Sequence, residues 1–462
     1  MDIRDLEGKR ITVMGLGLHG GGIGTVRFLS EAGAELIVTD LKTEEELSSS
    51  LEKLKDLKNI EYVLGQHRME DFSSVDMVIK NPAARWDNEY VRAALDNNVP
   101  VEMDSSLFFK LCKNPIIGVT GTRGKTTTAS LIYEILKVAG KNPIKIGIGQ
   151  VSVLDKLKEL EDDSIVVFEL SSWRLSALGR YGLSPKVAVF TNLFQDHLNY
   201  YKDIDEYLAD KKSIYKNQRE SDFCIMNDDN EILRGLESEI KSRLIKFSYN
   251  KINDGRSAYV SDGYICLNDG KYEKRVISLE EIKIRGNHNI GNILASVGAA
   301  YAMGIEVEDA RKALAEFKGL PYRLEFVREL DGVEYYNDTA ATSPDGAISG
   351  VNSFSESVVL ICGGSDKNLD MAGFAKVITE KTKAVVFLKG AATDKIIAAL
   401  KMQGNEQDPI ITDSMAEAVE KARKLASVGD VILLSPGSAS FGLFLNEFDR
   451  GDKFKEAVSS LK

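Results

Sequence analysis

Gly118-Val119-Thr120-Gly121-Thr122-Arg123-Gly124-Lys125-Thr126-Thr127 is the stretch that decides how this chain is read. It follows an apolar run, 116–120, of the length of a buried strand. It opens a stretch in which Leu131, Ile132, Ile135 and Leu136 fall on one helical face, with Gly140 as a stop. A strand that turns through glycines into a helix offers free backbone N–H groups where the helix dipole favours anions. Gly121, Thr122, Gly124, Lys125, Thr126 and Thr127 are therefore read as an ATP phosphate loop. Lys125 would put its charge at the β- and γ-phosphates, and the Thr126 hydroxyl can ligate Mg2+. Valine stands at 119, where the strict motif has glycine.

A second glycine loop lies near the start. Strand 10–14 runs into Gly15-Leu16-Gly17-Leu18-His19-Gly20, a helix follows over 25–32, and the next strand, 35–39, ends at Asp40. Gly17, Leu18, His19 and Gly20 would meet a diphosphate at the helix N-terminus, with Asp40 placed to accept hydrogen bonds from a ribose or base. The motif does not separate NAD from another nucleoside diphosphate.

Further apolar runs at 165–169, 187–191, 358–362, 384–388 and 431–434 are continuous in Val, Ile and Leu rather than alternating. Strands buried on both faces of a parallel sheet read this way. The expected class is α/β, three domains, each with a doubly wound and mostly parallel sheet. Asn114-Pro115 and Gly319-Leu320-Pro321 break the pattern and set expected domains of 1–113, 114–318 and 319–462, with a small β insertion at 250–285.

The hydrophobic share of 43% and charged share of 28% exclude a mostly disordered chain. A net charge of −11 gives no general attraction to nucleic acid or anionic membrane, so neither is an expected partner. Cys112, Cys224, Cys266 and Cys362 lie far apart, which argues against a disulfide framework and suits a reducing compartment. The N-terminus lacks a secretory pattern, and no apolar run reaches the ~20 residues of a membrane span. A cytoplasmic protein without membrane insertion, acting as a monomer, is the expectation.

The loop Gly118–Thr127 resembles the ATP loop of the Mur ligases, which build the peptide stem of bacterial cell wall. Glu169-Leu170-Ser171-Ser172, Thr191-Asn192-Leu193-Phe194-Gln195-Asp196-His197-Leu198 and Gly286-Asn287-His288-Asn289-Ile290-Gly291-Asn292 follow in the family's order. The resemblance covers essentially the whole chain. Gly319-Leu320-Pro321-Tyr322-Arg323, Asn337-Asp338 and Ser435-Pro436-Gly437-Ser438-Ala439-Ser440 fit best the members that add D-glutamate to UDP-N-acetylmuramoyl-L-alanine.

The resemblance implies a Rossmann-like first domain for the UDP-sugar, a P-loop ATPase-like second domain and a Rossmann-like third domain for the acceptor amino acid. It implies ATP-driven amide ligation through an acyl phosphate, for cell-wall peptidoglycan and so for cell shape and division. Lys125, Glu169, His197 and Lys211 would carry the catalysis. Two Mg2+ ions would be held by Thr126, Glu169, His197 and Lys211, the lysine as its CO2-derived carbamate, though the neighbouring Lys212 leaves the modified position open. Asn289, Asn292, Arg323 and Asp338 would contact ATP, and Asn81 would join Gly17–Gly20 and Asp40 at the UDP-sugar. Thr342, Lys367, Ser440 and Phe441 would hold the acceptor.

Three positions depart from the family pattern. Ala340 stands where D-glutamate ligases carry a lysine, which leaves L-glutamate or another amino acid open as acceptor. Gln150 replaces an asparagine and Asn81 a serine at the sugar site. A nicotinamide-dependent oxidoreductase would use Gly15–Gly20 but leave Lys125 and His197 unexplained. A silent nucleotide-binding relative would have no need of Lys125, Glu169, His197 and Lys211 together.

Overall fold

The computed structural model describes every residue except 19, 150, 196–199 and 405–407. The described strands form three sheets. The first contains β1 (Arg10–Met14), β2 (Glu35–Asp40), β3 (Ile60–Leu64), β4 (Met77–Lys80) and β5 (Val101–Glu102), all parallel, in the order β3-β2-β1-β4-β5. Its strands step outward in both directions from β1, so the loop after β1 lies where the winding reverses, the usual crevice for a ligand in such sheets.

The second sheet has nine strands: β6 (Ile116–Thr120), β7 (Asn142–Ile146), β8 (Ser164–Glu169), β9 (Val187–Phe190), β10 (Phe223–Asn227), β11 (Arg243–Ser248), β12 (Ser257–Ser261), β13 (Tyr264–Asn268) and β14 (Glu273–Ser278). From β7 to β12 the pairing is parallel, with β6 between β8 and β9. The phosphate loop thus leaves the sheet at its switch point, beside the ends of β8 and β9. The expected β insertion is the antiparallel edge β12-β13-β14, continuous with this sheet rather than a separate element, because β12 pairs in parallel with β11.

The third sheet joins β15 (Glu325–Leu330), β16 (Val333–Asn337), β17 (Val358–Cys362), β18 (Thr382–Leu388), β19 (Ile410–Thr412) and β20 (Val431–Leu434) in the order β15-β16-β20-β17-β18-β19. Only the edge hairpin β15-β16 is antiparallel. Along β17, Val358, Leu360 and Cys362 enter one apolar layer and Val359 and Ile361 the other, so helices cover both faces. That is the physical reason these runs are apolar throughout.

The chain divides into two compact units, one of residues 1–281 and 291–315, the other of 282–290 and 316–462. In the first unit one face of the first sheet buries its own cluster around Met14, Phe72, Val78 and Val101, while the other shares a core with the second sheet. Helix Asp104–Leu111 lays Phe108 edge-on to Phe168 of β8, 5.5 Å between ring centres, and one apolar cluster runs from Leu6 to Leu236. In the second unit the segment 282–290 is tied down by Arg285, which pairs with Glu356 at 2.6 Å and Glu334 at 2.9 Å and stacks near Tyr336 and Phe354. Among the described residues no helix is long and apolar enough to cross a membrane.

Arg450, on helix Glu447–Ser460, is fully buried in the second unit. Its guanidinium donates to Thr339 Oγ1 and Thr339 O at 2.9 Å and to Ser438 O at 3.2 Å, joining the segments that follow β16 and β20. Truncation strands these acceptors without water. An Arg450→Ala variant is expected to lose about 3 kcal/mol of the second unit's stability, read as a lowered midpoint in urea denaturation.

Candidate active site

The loop Gly121–Thr127 is held in shape by its own backbone and by the segment after β9. Gly121 and Gly124 have φ of 152° and 79°, which a side chain rarely adopts. A Cβ at Gly121 would overlap Thr191 Oγ1, and one at Gly124 would overlap Asn292 Oδ1. The loop is laced to the segment after β9. Thr122 N donates to Asn192 O at 3.0 Å, Arg123 N to Asn192 Oδ1 at 2.9 Å, Phe194 N to Thr122 Oγ1 at 2.9 Å and Thr191 Oγ1 to Arg123 O at 2.6 Å. Gly124 caps helix Lys125–Val138, so Thr126 and Thr127 lie, half-buried, on its first turn. Lys125 Nζ donates to Gly121 O and Thr122 O, both at 3.0 Å. Asn292 closes the loop from helix Asn287–Ala302, its Oδ1 accepting from Thr128 Oγ1 at 3.3 Å.

Two further expected residues converge here. Lys211, on helix Ile204–Lys216, is 1% exposed, and its Nζ donates to Gly121 O at 2.9 Å and Thr120 Oγ1 at 3.3 Å. Lys212 instead pairs with Glu239 at 2.7 Å, turned away from the loop. Glu169 ends β8, and its Oε2 is buried and accepts no hydrogen bond from any described residue. A buried carboxylate oxygen without a donor is costly unless a cation meets it. That chemistry suits a hard divalent ion, which takes one or two carboxylates and fills its shell with phosphate and water. Glu169 and Thr126 therefore fit Mg2+ as protein ligands. Among the described residues no three His, Cys, Asp or Glu side chains gather as a metal cluster, and His197 lies outside the described residues.

Two charged groups join this neighbourhood that the sequence reading did not single out. Lys145 on β7 lies opposite Val167 of β8 and so shares the face of Glu169, while its Nζ donates to Ser130 Oγ at 2.9 Å. Burial pulls its ammonium pKa down, against the opposing fields of Glu134 and Glu169. Asp210, next to Lys211, accepts from Tyr201 Oη at 3.0 Å, and burial pushes its carboxyl up to about 6. The only sequence signals were a charge inside an apolar strand and an acid beside the helical lysine pair.

At the first glycine loop, Gly17 N donates to Asp40 Oδ2 at 2.9 Å and Lys42 N to Asp40 Oδ1 at 2.9 Å, so Asp40 shapes the turn. Gly17 and Gly20 have φ of 61° and 84°, and Leu18 is exposed on the loop. Asn81 lies against the loop, since a Cβ on Gly15 would come 2.9 Å from its Nδ2. His19 and Gln150 lie outside the described residues.

In the second unit the segments after β16, β17 and β20 are cross-linked through their backbones. Gly437 N donates to Ala341 O at 2.9 Å, Gly363 N to Pro436 O at 2.9 Å and Ser365 N to Ala439 O at 3.0 Å. This brings Thr342 to Lys367, whose Nζ donates to Thr342 Oγ1 at 3.1 Å, and sets buried Ser440 beside exposed Phe441, whose carbonyl accepts from Ser365 Oγ. Asp338 is buried, with Ser435 Oγ at 2.8 Å and Leu324 N at 3.2 Å as donors, and burial pushes it up to about 7 despite these bonds and nearby Arg323. Asn289 donates to Arg285 O at 2.6 Å within the same unit. Ala340 contributes only a methyl group to these segments, its N–H donating to Tyr322 O at 3.0 Å.

Three family models match the chain: the Mur ligase MurD-like N-terminal domain over residues 9–102, the Mur ligase middle domain over 119–300 and the Mur ligase glutamate ligase domain over 322–437. A UDP-N-acetylmuramoylalanine–D-glutamate ligase of Roseiflexus sp. (strain RS-1) is 40% identical, over 98% of this chain and 99% of its own. The protein of the same name from Borreliella afzelii (strain PKo) is 40% identical over the whole of both chains. Among solved structures, the UDP-N-acetylmuramate-alanine ligase MurC of Thermotoga maritima shares the fold with a TM-score of 0.60 at 22% identity, covering 98% of this chain and 100% of its own. With three domain models matched in order and 40% identity along its length, the chain belongs to the Mur ligase superfamily, on its MurD-like branch.

Proposed function

We propose that this chain joins D-glutamate to UDP-N-acetylmuramoyl-L-alanine in peptidoglycan precursor synthesis, consuming ATP and releasing ADP and phosphate. The observation that carries the reading is the meeting of Lys125, Lys211 and the Gly121 carbonyl at a loop beside the unsatisfied Glu169 oxygen. Relatives matched end to end bear the name of that ligase. The domains carrying the three sites run, in our assignment, over 1–113, 114–318 and 319–462.

The UDP-sugar takes the loop Gly17–Gly20 with Asp40 and Asn81, and ATP takes Gly121–Thr127 with Asn292. The alanyl carboxylate attacks the γ-phosphorus, the bond to the ADP oxygen breaks, and an acyl phosphate forms. Lys125 holds charge at the phosphoryl group as it moves, a positioned cation being worth most where the negative charge develops. The acceptor, held by Thr342, Lys367, Ser440 and Phe441, presents its amine to the acyl carbon. The tetrahedral intermediate then expels phosphate, and the nitrogen gives up a proton. Lys367 would meet an acceptor carboxylate, and its bond to Thr342 orients it. Mg2+, when bound, neutralises the phosphate oxygens. Glu169, Thr126 and Lys211 as its carbamate are the described side chains suited to two such ions, with His197 as the further ligand.

A second reading changes only the acceptor. Ala340 removes a cation expected at the acceptor's side-chain carboxylate, which favours a test across several amino acids. Phosphate release from ATP, UDP-N-acetylmuramoyl-L-alanine and D-glutamate is expected only with all three present. Release with L-glutamate or an uncharged amino acid, and none with D-glutamate, moves the assignment to that acceptor.

Removing either loop lysine should separate roles. Lys125→Ala and Lys211→Ala are each expected to cut turnover by on the order of a thousandfold, whereas Lys212→Ala, which breaks an exposed pair with Glu239, stays near wild type. Steady-state phosphate release reads all three, and intact-mass measurement in bicarbonate buffer shows the CO2 adduct on wild type and its loss in Lys211→Ala.

A further inference from the structure

Lys80 closes β4 with 2% of its surface exposed, an unusual place for an ammonium. Its Nζ donates to Ala84 O at 2.7 Å and Asn81 O at 3.3 Å, so it caps both ends of the turn Asn81-Pro82-Ala83-Ala84. The turn is closed internally as well, Ala83 N donating to Asn81 Oδ1 at 2.9 Å and Ala84 N to Asn81 O at 3.0 Å. Trp86, just beyond it, lies 4.6 Å from Lys80 Nζ and 4.0 Å from the Arg180 guanidinium, and its Nε1 donates to Ser176 Oγ at 2.8 Å. Ser176 and Arg180 belong to helix Ser172–Arg180, which follows β8 and Glu169. On its other side the turn carries Asn81, seated on Gly15 so closely that a Cβ there would reach 2.9 Å from Nδ2 and 3.0 Å from the Asn81 Cβ.

We infer that Lys80 is a positioning residue for the UDP-sugar: it holds the Asn81 turn in register with the glycine loop, setting the Asn81 amide where the nucleotide-sugar is bound. The inference rests on the reading of Gly15–Gly20 and Asn81 as the UDP-sugar site. Burying an ammonium carries a desolvation cost, offset here by two carbonyl acceptors and the Trp86 ring. Burial draws its pKa down to about 8, the Arg180 charge acting in the same direction while Asp210 and Asp104, from the helices packed around it, oppose both. A charge retained at such a cost, with its hydrogen bonds on two carbonyls of one turn, is spent on the geometry of that turn. Above its pKa the amine keeps its place but loses the charge assistance in both bonds.

The experiment is calorimetric titration of the full-length wild type and Lys80→Met with UDP-N-acetylmuramoyl-L-alanine and, separately, with MgATP, alongside thermal unfolding. Lys80→Met leaves Ala84 O without its donor, so a modest fall in unfolding temperature is expected with MgATP affinity unchanged. Its affinity for the UDP-sugar is expected to fall by about tenfold, the scale of one or two charge-assisted bonds. Between about pH 7 and pH 9 the wild type should lose UDP-sugar affinity as Lys80 deprotonates, while the variant's profile follows the ligand alone. Equal UDP-sugar affinity in both proteins, or a fall in both ligands' affinities together with the unfolding temperature, overturns the inference. Should Lys80→Met not fold, a wild-type affinity flat across that pH range overturns it equally. A wild type that binds MgATP but no UDP-sugar overturns the reading of the site itself, a result distinct from either.

Discussion

The side-chain nitrogens of Lys125 and Lys211 reach one carbonyl oxygen, that of Gly121, and the rest of the central sheet is arranged around that meeting point. Two ammoniums this close would repel, and conversion of Lys211 to the proposed carbamate removes that repulsion. The loop N–H groups, the N-terminus of helix Lys125–Val138 and a Glu169 oxygen without a partner among the described residues surround it. Lys125 reaches the carbonyl from the helix that the loop opens, and Lys211 from helix Ile204–Lys216. The switch point of the nine-stranded sheet is what lets elements so far apart in sequence address one peptide group.

The second unit solves a different problem with the same type of sheet. The segments that follow three neighbouring strands, β16, β20 and β17, are joined by backbone hydrogen bonds. Buried Arg450 sets its charge on neutral carbonyl and hydroxyl oxygens beneath two of those segments. Arg285 does comparable work for the segment 282–290, which travels with this unit although the rest of helix Asn287–Ala302 belongs to the other. The stretch Gly286–Asn292 therefore straddles the division of the chain, with Asn289 assigned to one unit and Asn292 to the other.

Much of the scaffold was legible in residue order. Strands 10–14, 116–120, 358–362 and 431–434 have the bounds that their apolar runs predict, because strands covered on both faces carry an unbroken hydrophobic signal. The first helix starts at Gly21, four residues earlier than its apolar pattern indicates, since glycines carry no hydrophobic signal yet turn directly into the helix. The edge β12–β14 was visible as strands but not as part of the main sheet: pairing between β11 and β12 is a long-range fact that no local pattern records. The shared core of the first two sheets was hidden for the same reason, resting on Phe108 meeting Phe168.

Residue types and their spacing determined the α/β class, the phosphate loop and the family, because glycine turns, strand runs and helix faces are local properties of the chain. Which of two adjacent lysines enters the site was not local. Lys211 and Lys212 differ by one helical step of about 100°, and only the packing of helix Ile204–Lys216 against β6 turns the first inward and leaves the second to Glu239. The tertiary structure likewise decided that Asp40 braces its own loop, that Lys145 faces the side of Glu169, and that Lys80 spends a buried charge on a turn. Burial and proximity are set by what the rest of the chain brings alongside, and a residue's neighbours in sequence do not report them.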